Sequence, residues 1–198
     1  MNNIQKKVQE SPIRNIEFIF TKDQQYLNQY YQLRLDSYRN DNGWGEFEEL
    51  ENEFDKNSNI AIALDNGKVV GGIRIMLENE CDYFSNEIPN TIYKYRKYLE
   101  FKNETTPENT IAEISSLVVN KDYRNNAINS ILGNKAINFA KSKGIKYIFS
   151  VASKLHCRIH RLTYDRINYK ATMDISYPWK KEKKYSNSEM FLIYSKFS

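Results

Sequence analysis

Short apolar runs alternate along the chain with longer stretches in which apolar residues recur at helical spacing. This pattern predicts strands interleaved with amphipathic helices. Two runs, 60–64 and 68–77, are separated by Asp65-Asn66-Gly67, which is typical of a tight hairpin turn, so they are predicted to pair as antiparallel strands. Such an order of elements predicts a mixed α+β domain. The full prediction comprises strands at 15–20, 60–64, 68–77, 111–119, 145–152 and 189–197 and helices at 21–38, 92–99, 125–142 and 155–166.

One long segment, 40–57, shows neither the alternation of a strand nor the apolar spacing of a helix, and it is rich in Gly, Trp, Asp and Glu. Irregular segments of this length are uncommon as simple connectors in a compact domain, and they often carry function. The segment is therefore predicted to be a lid over a functional site, with Trp44 in its middle. The acidic run within it, 48–55, is either part of that lid or a solvated face.

Length, composition and charge limit the class of protein. The 198 residues, 40% hydrophobic and 27% charged, predict a single domain over residues 1–198, with residues 1–14 as a flexible N-terminus. No apolar run reaches the length of about 18 residues that a membrane span needs, and no apolar leader opens the chain, so a cytoplasmic protein is expected. The net charge of +4 is too small and too dispersed to indicate a nucleic-acid partner.

Neither disulfide nor metal chemistry is indicated. Cys81 and Cys157 lie far apart and form no Cys-x-x-Cys motif, which favours two free thiols. His156 and His160 would share one face of a predicted helix, but no third ligand accompanies them. No metal site is therefore predicted.

The most informative segment is 113–124 (EISSLVVNKDYR), a buried strand that leads into a helix and is followed later by 162–169 (LTYDRINY). This order resembles the GNAT superfamily of acyltransferases. The resemblance implies a GNAT-like α+β fold, in which a twisted mixed sheet is flanked by helices. It also implies that the strand parts from its neighbour, so that backbone groups near Leu117, Val118 and Val119 bind the pantetheine of an acyl donor and stabilise the oxyanion.

The N-terminal half carries a second resemblance, to the acyl-homoserine lactone synthases (autoinducer synthases) and the related N-acyl amino acid synthases. Two positions depart from the pattern, because Ser116 stands where the family usually has Arg and Asn52 where an acidic residue is expected. The acceptor is thus left open between S-adenosylmethionine, an amino acid and another amine. The matching positions are Arg34, Tyr38, Trp44, the acidic run 48–55, the segment 69–74 (VVGGIR) and the segment 113–115 (EIS).

An N-acyltransferase is the activity that these resemblances imply. Attack of an amine on a thioester requires the loss of a proton, and Glu113 on the central strand is the predicted base. The alternative is that Glu113 forms a buried ion pair with Arg74 that organises the sheet. Tyr164 occupies the tyrosine position of the family and is predicted to protonate the departing thiolate, the alternative being a tyrosine that only packs on the sheet.

The acceptor side and its lid are assigned to Arg34, Trp44, Asp55 and Arg74. Arg34 either anchors an acceptor carboxylate or fastens the lid through a bidentate pair with Glu53 or Asp55, and fastening is favoured. Trp44 either covers the acceptor or packs as an apolar plug.

On the donor side, the resemblance assigns Arg124, near the phosphopantetheine phosphate, together with Ala127 and Ser150. The loop 125–129 (NNAIN) lacks the glycines that let backbone amides close on a pyrophosphate, which favours acyl carrier protein over coenzyme A as the carrier of the acyl group. A basic rim would steer an acidic carrier protein, unless its members are simply solvated. The rim consists of Lys135, Lys141, Lys143, Lys146, Lys154 and Arg158.

Two other functions compete with this one. An acetyl-coenzyme-A-dependent N-acetyltransferase of a small amine or a protein predicts tight binding of coenzyme A and a pocket closed to long acyl chains. A catalytically inactive GNAT-shaped binding module predicts no turnover with any thioester and little effect of a Glu113 substitution.

Overall fold

A computed structural model describes residues 15–41, 43, 50–80, 91–124, 127–154, 156–157, 172–174 and 190–197. The elements in chain order are β1 (Ile16–Thr21), α1 (Gln24–Asp36), α2 (Glu53–Lys56), β2 (Asn59–Asp65), β3 (Lys68–Leu77), α3 (Thr91–Phe101), β4 (Ile111–Val119), α4 (Ile128–Ser142), β5 (Tyr147–Ser153), β6 (Thr172–Asp174) and β7 (Met190–Lys196). Helix α1 continues as a π-helical turn (Ser37–Asp41), and 3-10 turns follow β3 (Glu78–Glu80) and β4 (Lys121–Tyr123).

The predicted strands and helices are confirmed, with small shifts at their ends, wherever the structure describes them. Strand β6 was not predicted, because three residues are too few to show a periodicity. Of the predicted helix 155–166, only His156 and Cys157 belong to the described residues, and both are helical. The predicted flexible N-terminus, 1–14, lies outside the described part of the chain. No described helix is both long enough and apolar enough to cross a membrane.

The strands form one mixed sheet in the order β1-β2-β3-β4-β5-β7-β6. All neighbours are antiparallel except β4 and β5, whose parallel pairing covers only Ile111 with Tyr147, Ala112 with Ile148, and Glu113 with Phe149. On its other side, β4 stays paired with β3 as far as Val119. The second half of β4 therefore has a strand partner on one side only, and the two central strands part after Glu113.

Alternation along the strands separates two cores, one on each face of the sheet. Helix α4 covers one face and packs on Ile73, Ile75 and Ile114. Helices α1 and α3 cover the other face: α1 packs on Ile60 and Ile62 of β2, while α3 packs on residues of β4, β5 and β7. The open end of the split between β4 and β5 thus lies in the middle of a sheet that helices support from both sides.

Gly71 and Gly72 allow helices to approach β3 closely from opposite faces. A Cβ atom on Gly72 would lie 2.5 Å from Cδ2 of Tyr30 in α1, a distance that real contacts do not show. A Cβ atom on Gly71 would lie 3.2 Å from Cγ2 of Ile128 in α4. The glycine pair in the segment 69–74 is therefore explained by packing.

Candidate active site

A β-bulge interrupts β4 next to the split. Arg74 pairs with Ser115 and Gly72 with Val118, so that one residue of β3 faces two residues of β4. Ser116 lies in this bulge with φ +54°, a conformation that only a few per cent of non-glycine residues adopt. Two tyrosines hold it: the hydroxyl of Tyr30 donates to the Ser116 carbonyl at 2.9 Å, and the hydroxyl of Tyr38 donates to Ser116 Oγ at 3.2 Å.

The bulge sets the orientation of the last residues of β4, to which donor binding is assigned. After it, Val118 is buried against the α1 side of the sheet, whereas Leu117 and Val119 are partly buried and pack against the α4 core. The edge of this segment that faces β5 has no strand partner among the described residues. A polar ligand that lies along this edge would gain backbone hydrogen bonds that the sheet does not use.

Ser150 closes the narrow end of the split. It follows Phe149, which makes the last backbone pairing between β5 and β4, and its side chain is buried. Its hydroxyl donates to the carbonyl of Ile114 at 2.6 Å, which satisfies a backbone acceptor just where the strands part. Ser150 therefore marks the closed end of the split between β4 and β5.

Glu113 is the carboxylate at this same point. Its residue is only 7% exposed, and Oε2 accepts a hydrogen bond from the hydroxyl of Tyr95 on α3 at 2.7 Å. Within the described residues, Oε1 has no hydrogen-bond partner, and it is not fully sealed from solvent. A carboxylate held by one oxygen, with the other oxygen unpaired where the two strands part, is well placed to accept a proton.

The alternative for Glu113, an ion pair with Arg74, is not formed. The Arg74 guanidinium bonds instead to three other side chains: Nη1 donates to Asp55 Oδ1 and to Asn52 Oδ1, both at 3.0 Å, and Nε donates to Ser115 Oγ at 3.1 Å. The lid segment brings the carboxylate of Asp55 to Arg74, and Arg74 pairs with this carboxylate and not with that of Glu113.

Arg34, Asp55 and Arg74 form a buried charge cluster on the α1 face of the sheet. Arg34 on α1 grips Asp55 with two parallel hydrogen bonds, Nη1 to Oδ1 and Nη2 to Oδ2, each 2.7 Å long. The predicted bidentate pairing of Arg34 with Asp55 is thus present. Arg34 Nη2 also donates to the carbonyl of Leu50 at 2.6 Å, so the guanidinium joins helix α1 to two points of the lid.

The cluster holds one more positive than negative charge. Burial raises the pKa of Asp55, but the hydrogen bonds from Arg34 and the charge of Arg74 outweigh burial and hold the pKa below its ordinary value. The Arg34 guanidinium also lies 5.0 Å from the centre of the Tyr31 ring, and burial raises the pKa of that phenol to about 12. Asp55 therefore stays ionised and Tyr31 stays neutral at neutral pH.

Asn52 begins the short helix α2 and links it to the cluster. Its side chain accepts from the N–H of Phe54 at 3.1 Å, and its own N–H donates to Asp55 Oδ2 at 2.8 Å, which is a capping box. The residue that departs from the family pattern thus acts as helix cap and as partner of Arg74. Trp44 and Tyr164, which were predicted as lid residue and acid, lie outside the described residues.

Arg124, which is predicted to lie near the donor phosphate, follows β4. Arg124 is partly exposed, donates from Nη2 to Asp41 Oδ2 in the π-helical turn, and donates from Nε to the Val119 carbonyl at 3.1 Å. The hydrogen bond from Arg124 holds the pKa of Asp41 below its usual value. Arg124 therefore connects the start of the lid segment with the last residue of β4.

Ala127 precedes α4 in the left-handed conformation, with φ +56° and ψ 6°. This is the backbone geometry that glycine favours, so the loop keeps that geometry without the glycine. No side chain caps the start of the 15-residue helix, and Oγ of Ser130 is the one buried side-chain polar atom in the described chain without a hydrogen-bond partner. The first N–H groups of α4 are thus not satisfied by a side-chain cap, and such groups at a helix N-terminus can bind an anion.

Metal ligands do not cluster in the described chain: it contains no group of three or more His, Cys, Asp or Glu residues able to hold an ion. Nδ1 of His156 lies 3.0 Å from Ser153 Oγ, and burial followed by the charge of Arg124 lowers the pKa of this histidine. His160 lies outside the described residues.

Sequence reasoning missed several residues that shape the site. Tyr95 entered only as part of a predicted short helix, Ser115 only as part of a motif, and Tyr30 was not singled out. A tyrosine on a buried face needs a partner for its hydroxyl, and that requirement is the one signal that pointed to them.

Comparison with known proteins identifies this arrangement. The model of the Acetyltransferase (GNAT) family matches residues 27–162. Among curated protein sequences no significant match is found. Among solved structures, the chain is similar to BjaI, a CoA-dependent acyl-homoserine lactone synthase solved with SAM and isopentyl-CoA. The two share 18% sequence identity, the alignment covers 87% of this chain and 76% of BjaI, and the TM-score is 0.64.

Two other structures share the fold. The acyl-homoserine lactone synthase LasI aligns with 13% identity over 92% of this chain and 90% of its own, with a TM-score of 0.62. A GNAT-family acetyltransferase from Staphylococcus aureus Mu50 aligns with 16% identity over 91% of this chain and 98% of its own, with a TM-score of 0.56. The family model spans well over half of the chain, and the parted central strands agree with it: the protein is an acyltransferase of the GNAT family.

Proposed function

We propose that the protein transfers an acyl group from a phosphopantetheine thioester to the amine of a small amino-acid-like acceptor, giving an N-acyl amino acid or a related signal molecule. The observation that carries this proposal is the Glu113 carboxylate, buried at the split of β4 and β5 with one oxygen bonded to Tyr95 and the other unpaired among the described residues.

The chemistry follows from this placement. The acceptor amine loses a proton to Oε1 of Glu113 and forms a C–N bond to the thioester carbonyl. Backbone N–H groups at Val118 or Val119 stabilise the oxyanion, and the C–S bond then breaks. The departing thiolate takes up a proton, for which Tyr164 remains the proposed donor.

The acceptor side is proposed to recognise a carboxylate. Arg34 donates to Asp55 and to the Leu50 carbonyl, which supports a role in fastening the lid. Arg74 differs from Arg34 in its hydrogen bonds: within the described residues, its Nη2 has no hydrogen-bond partner. With two guanidinium groups and one carboxylate in the cluster, the surplus positive charge favours an anionic group on the acceptor, and Arg74 is the residue proposed to meet it.

The donor is proposed to lie along Leu117, Val118 and Val119, with its phosphate end towards Arg124 and Ala127. Two carriers share this chemistry. The loop without glycines favours acyl carrier protein, and the basic rim would steer it. The left-handed Ala127 and the uncapped α4 favour coenzyme A, and BjaI, which shares the fold, was solved with an acyl-coenzyme A.

The uncapped α4 also supports a second candidate, an acetyl-coenzyme-A-dependent acetyltransferase of a small amine. The two functions differ in acyl length and acceptor. Both require Glu113 as base, whereas an inactive binding module does not.

A thiol-release assay with the purified protein tests the proposal. The donors are acyl-coenzyme A and acyl carrier protein thioesters of increasing chain length, and the acceptors are amino acids, S-adenosylmethionine and simple amines, with products identified by mass spectrometry. We expect N-acylation of a carboxylate-bearing amine that Glu113→Gln abolishes and Glu100→Gln, an exposed control, leaves intact. Transfer of acetyl only, to amines without a carboxylate, supports the second candidate, and no turnover with any donor contradicts both.

A further inference from the structure

Tyr95 is the hydrogen-bond partner of the proposed base, and its ring is buried and stacked on a neighbouring aromatic ring. Tyr95 is fully buried, and its ring lies parallel to that of Phe149, with a centroid distance of 4.5 Å and an interplanar angle of 5°. Tyr98, one helical turn further along α3, meets the edge of the same Phe149 ring at 6.0 Å. The phenol of Tyr95 is therefore fixed in direction before any substrate binds.

This direction determines which oxygen of Glu113 is available. The Tyr95 hydroxyl donates to Oε2 at 2.7 Å, and Phe149 is also the residue paired with Glu113 across β4 and β5. Ring and carboxylate are thus positioned by one register pair of the sheet. Without the hydrogen bond, the carboxylate would be free to rotate about its last side-chain bond, and neither oxygen would have a fixed place.

We propose that Tyr95 is a positioning residue that orients Glu113 for proton abstraction. Its phenol holds Oε2 and keeps its own proton throughout, so that Oε1 takes the proton of the amine. The inference rests on the proposed function, because it requires Glu113 to act as the base. It goes beyond that function in assigning to an α3 tyrosine an effect on the rate and on its pH dependence.

Tyr95→Phe removes the hydroxyl and keeps the ring on Phe149. Because the carboxylate then loses both its orientation and a hydrogen bond that favours its ionised form, we expect kcat to fall by about 10- to 100-fold with the KM of the donor unchanged. The acid limb of the pH profile of kcat/KM should move to higher pH.

Tyr98→Phe is the matched control, since Tyr98 belongs to the same cluster and helix and also loses only a hydroxyl. A role for Tyr95 in packing alone would change both variants alike, in thermal stability and not in the pH profile. The other titratable groups on the elements around Glu113 are the same in wild type and in Tyr95→Phe, so they cancel in the comparison. They include Lys68 and Arg74 on β3, Lys94, Arg96, Lys97, Tyr98 and Glu100 on α3, Tyr147 on β5, Tyr194 and Lys196 on β7, and also Asp55 in α2 and Glu78 in the turn after β3.

A second substitution avoids any loss of packing. Fluorotyrosine incorporated at position 95 is a stronger hydrogen-bond donor, and it should move the acid limb to lower pH, opposite to Tyr95→Phe. Shifts in these opposite directions, absent from Tyr98→Phe, establish the role. Profiles of both Tyr95 variants that coincide with wild type, while Glu113→Gln is inactive, overturn the inference and leave the proposed function standing. Full activity of Glu113→Gln overturns both.

Discussion

Arg34 and Asp55 face each other in a planar, two-bonded pair, Nη1 to Oδ1 and Nη2 to Oδ2 at 2.7 Å each, with 3% and 0% of their side chains exposed. One partner comes from a long helix on the sheet and the other from a four-residue helix in the lid segment. Arg74 shares Asp55 from the sheet itself at 3.0 Å. One carboxylate thus fastens the lid to both α1 and β3.

Asp55→Asn tests the strength of this attachment. The substitution leaves two buried guanidinium groups without a counter-charge, so we expect the free energy of unfolding to fall by about 3–5 kcal/mol. Urea denaturation measures it. Glu100→Gln removes one partner of an exposed ion pair with Lys97 and should change stability little. A loss for Asp55→Asn as small as that of the control would contradict the role given to the cluster.

The pH dependence of stability should carry the signature of Asp55. The folded pKa lies below the ordinary value of 3.8, so the stabilisation by the ionised form is fully present above that value and is lost as the pH falls through the folded pKa. We expect the free energy of unfolding of the wild type to decline on acidification below about pH 5 more steeply than that of Asp55→Asn. If the free energy of unfolding falls equally steeply with pH in both proteins, other carboxylates and not Asp55 cause the loss of stability in acid.

Ala127→Gly should stabilise the protein. A left-handed conformation costs a residue with a Cβ about 1–2 kcal/mol, and glycine is free of this cost although it loses more chain entropy on folding. The expected net gain is about 0.5–1 kcal/mol in thermal or urea unfolding. Ala136→Gly, inside the same helix and fully buried, should instead destabilise by about 1 kcal/mol or more. A loss of stability in Ala127→Gly would show that the loop is held by other contacts.

Gly72→Ala should disturb the bulge through Tyr30. The added methyl would lie 2.5 Å from the Tyr30 ring, which must move and so weaken its hydrogen bond to the Ser116 carbonyl. We expect a loss of about 1–3 kcal/mol in stability together with a lower rate of acyl transfer. Gly71→Ala, whose nearest new contact is 3.1 Å to the Val118 carbonyl, should have the milder effect. The reverse order would contradict the part assigned to Tyr30.

Local patterns predicted most of the fold. The hairpin at 65–67, the central strand β4 and the helix α4 each follow from spacing and turn chemistry over a few neighbouring residues. The bulge at Ser116 could not be predicted in this way, because a serine with positive φ is held by tyrosines more than 75 positions away in the sequence. Long-range contacts decide such features, and spacing within one element does not report them.

The candidate site was likewise predictable from the sequence only in part. A bidentate pair of Arg34 with Glu53 or Asp55 was expected from the fork of the guanidinium and the acidic lid segment, and the structure shows this pair with Asp55. The partner of Glu113 was not identified, because the charge of Arg74 made Arg74 the obvious candidate. In the structure, Arg74 pairs with Asp55 of the lid segment. Tyr95 is neutral and lies on an apolar helix face, so its link to Glu113 became visible only when α3 was placed on the sheet.

The most direct test of Glu113 as the base of acyl transfer is mass spectrometry of extracts from cells that express the protein or its Glu113→Gln variant. Acyl transfer with Glu113 as base predicts an N-acyl species that accumulates with the wild type and is absent with the variant, at equal protein levels. The mass and fragmentation of that species would identify acyl chain and acceptor together. Equal amounts of the same N-acyl species in both extracts would contradict the central role of Glu113.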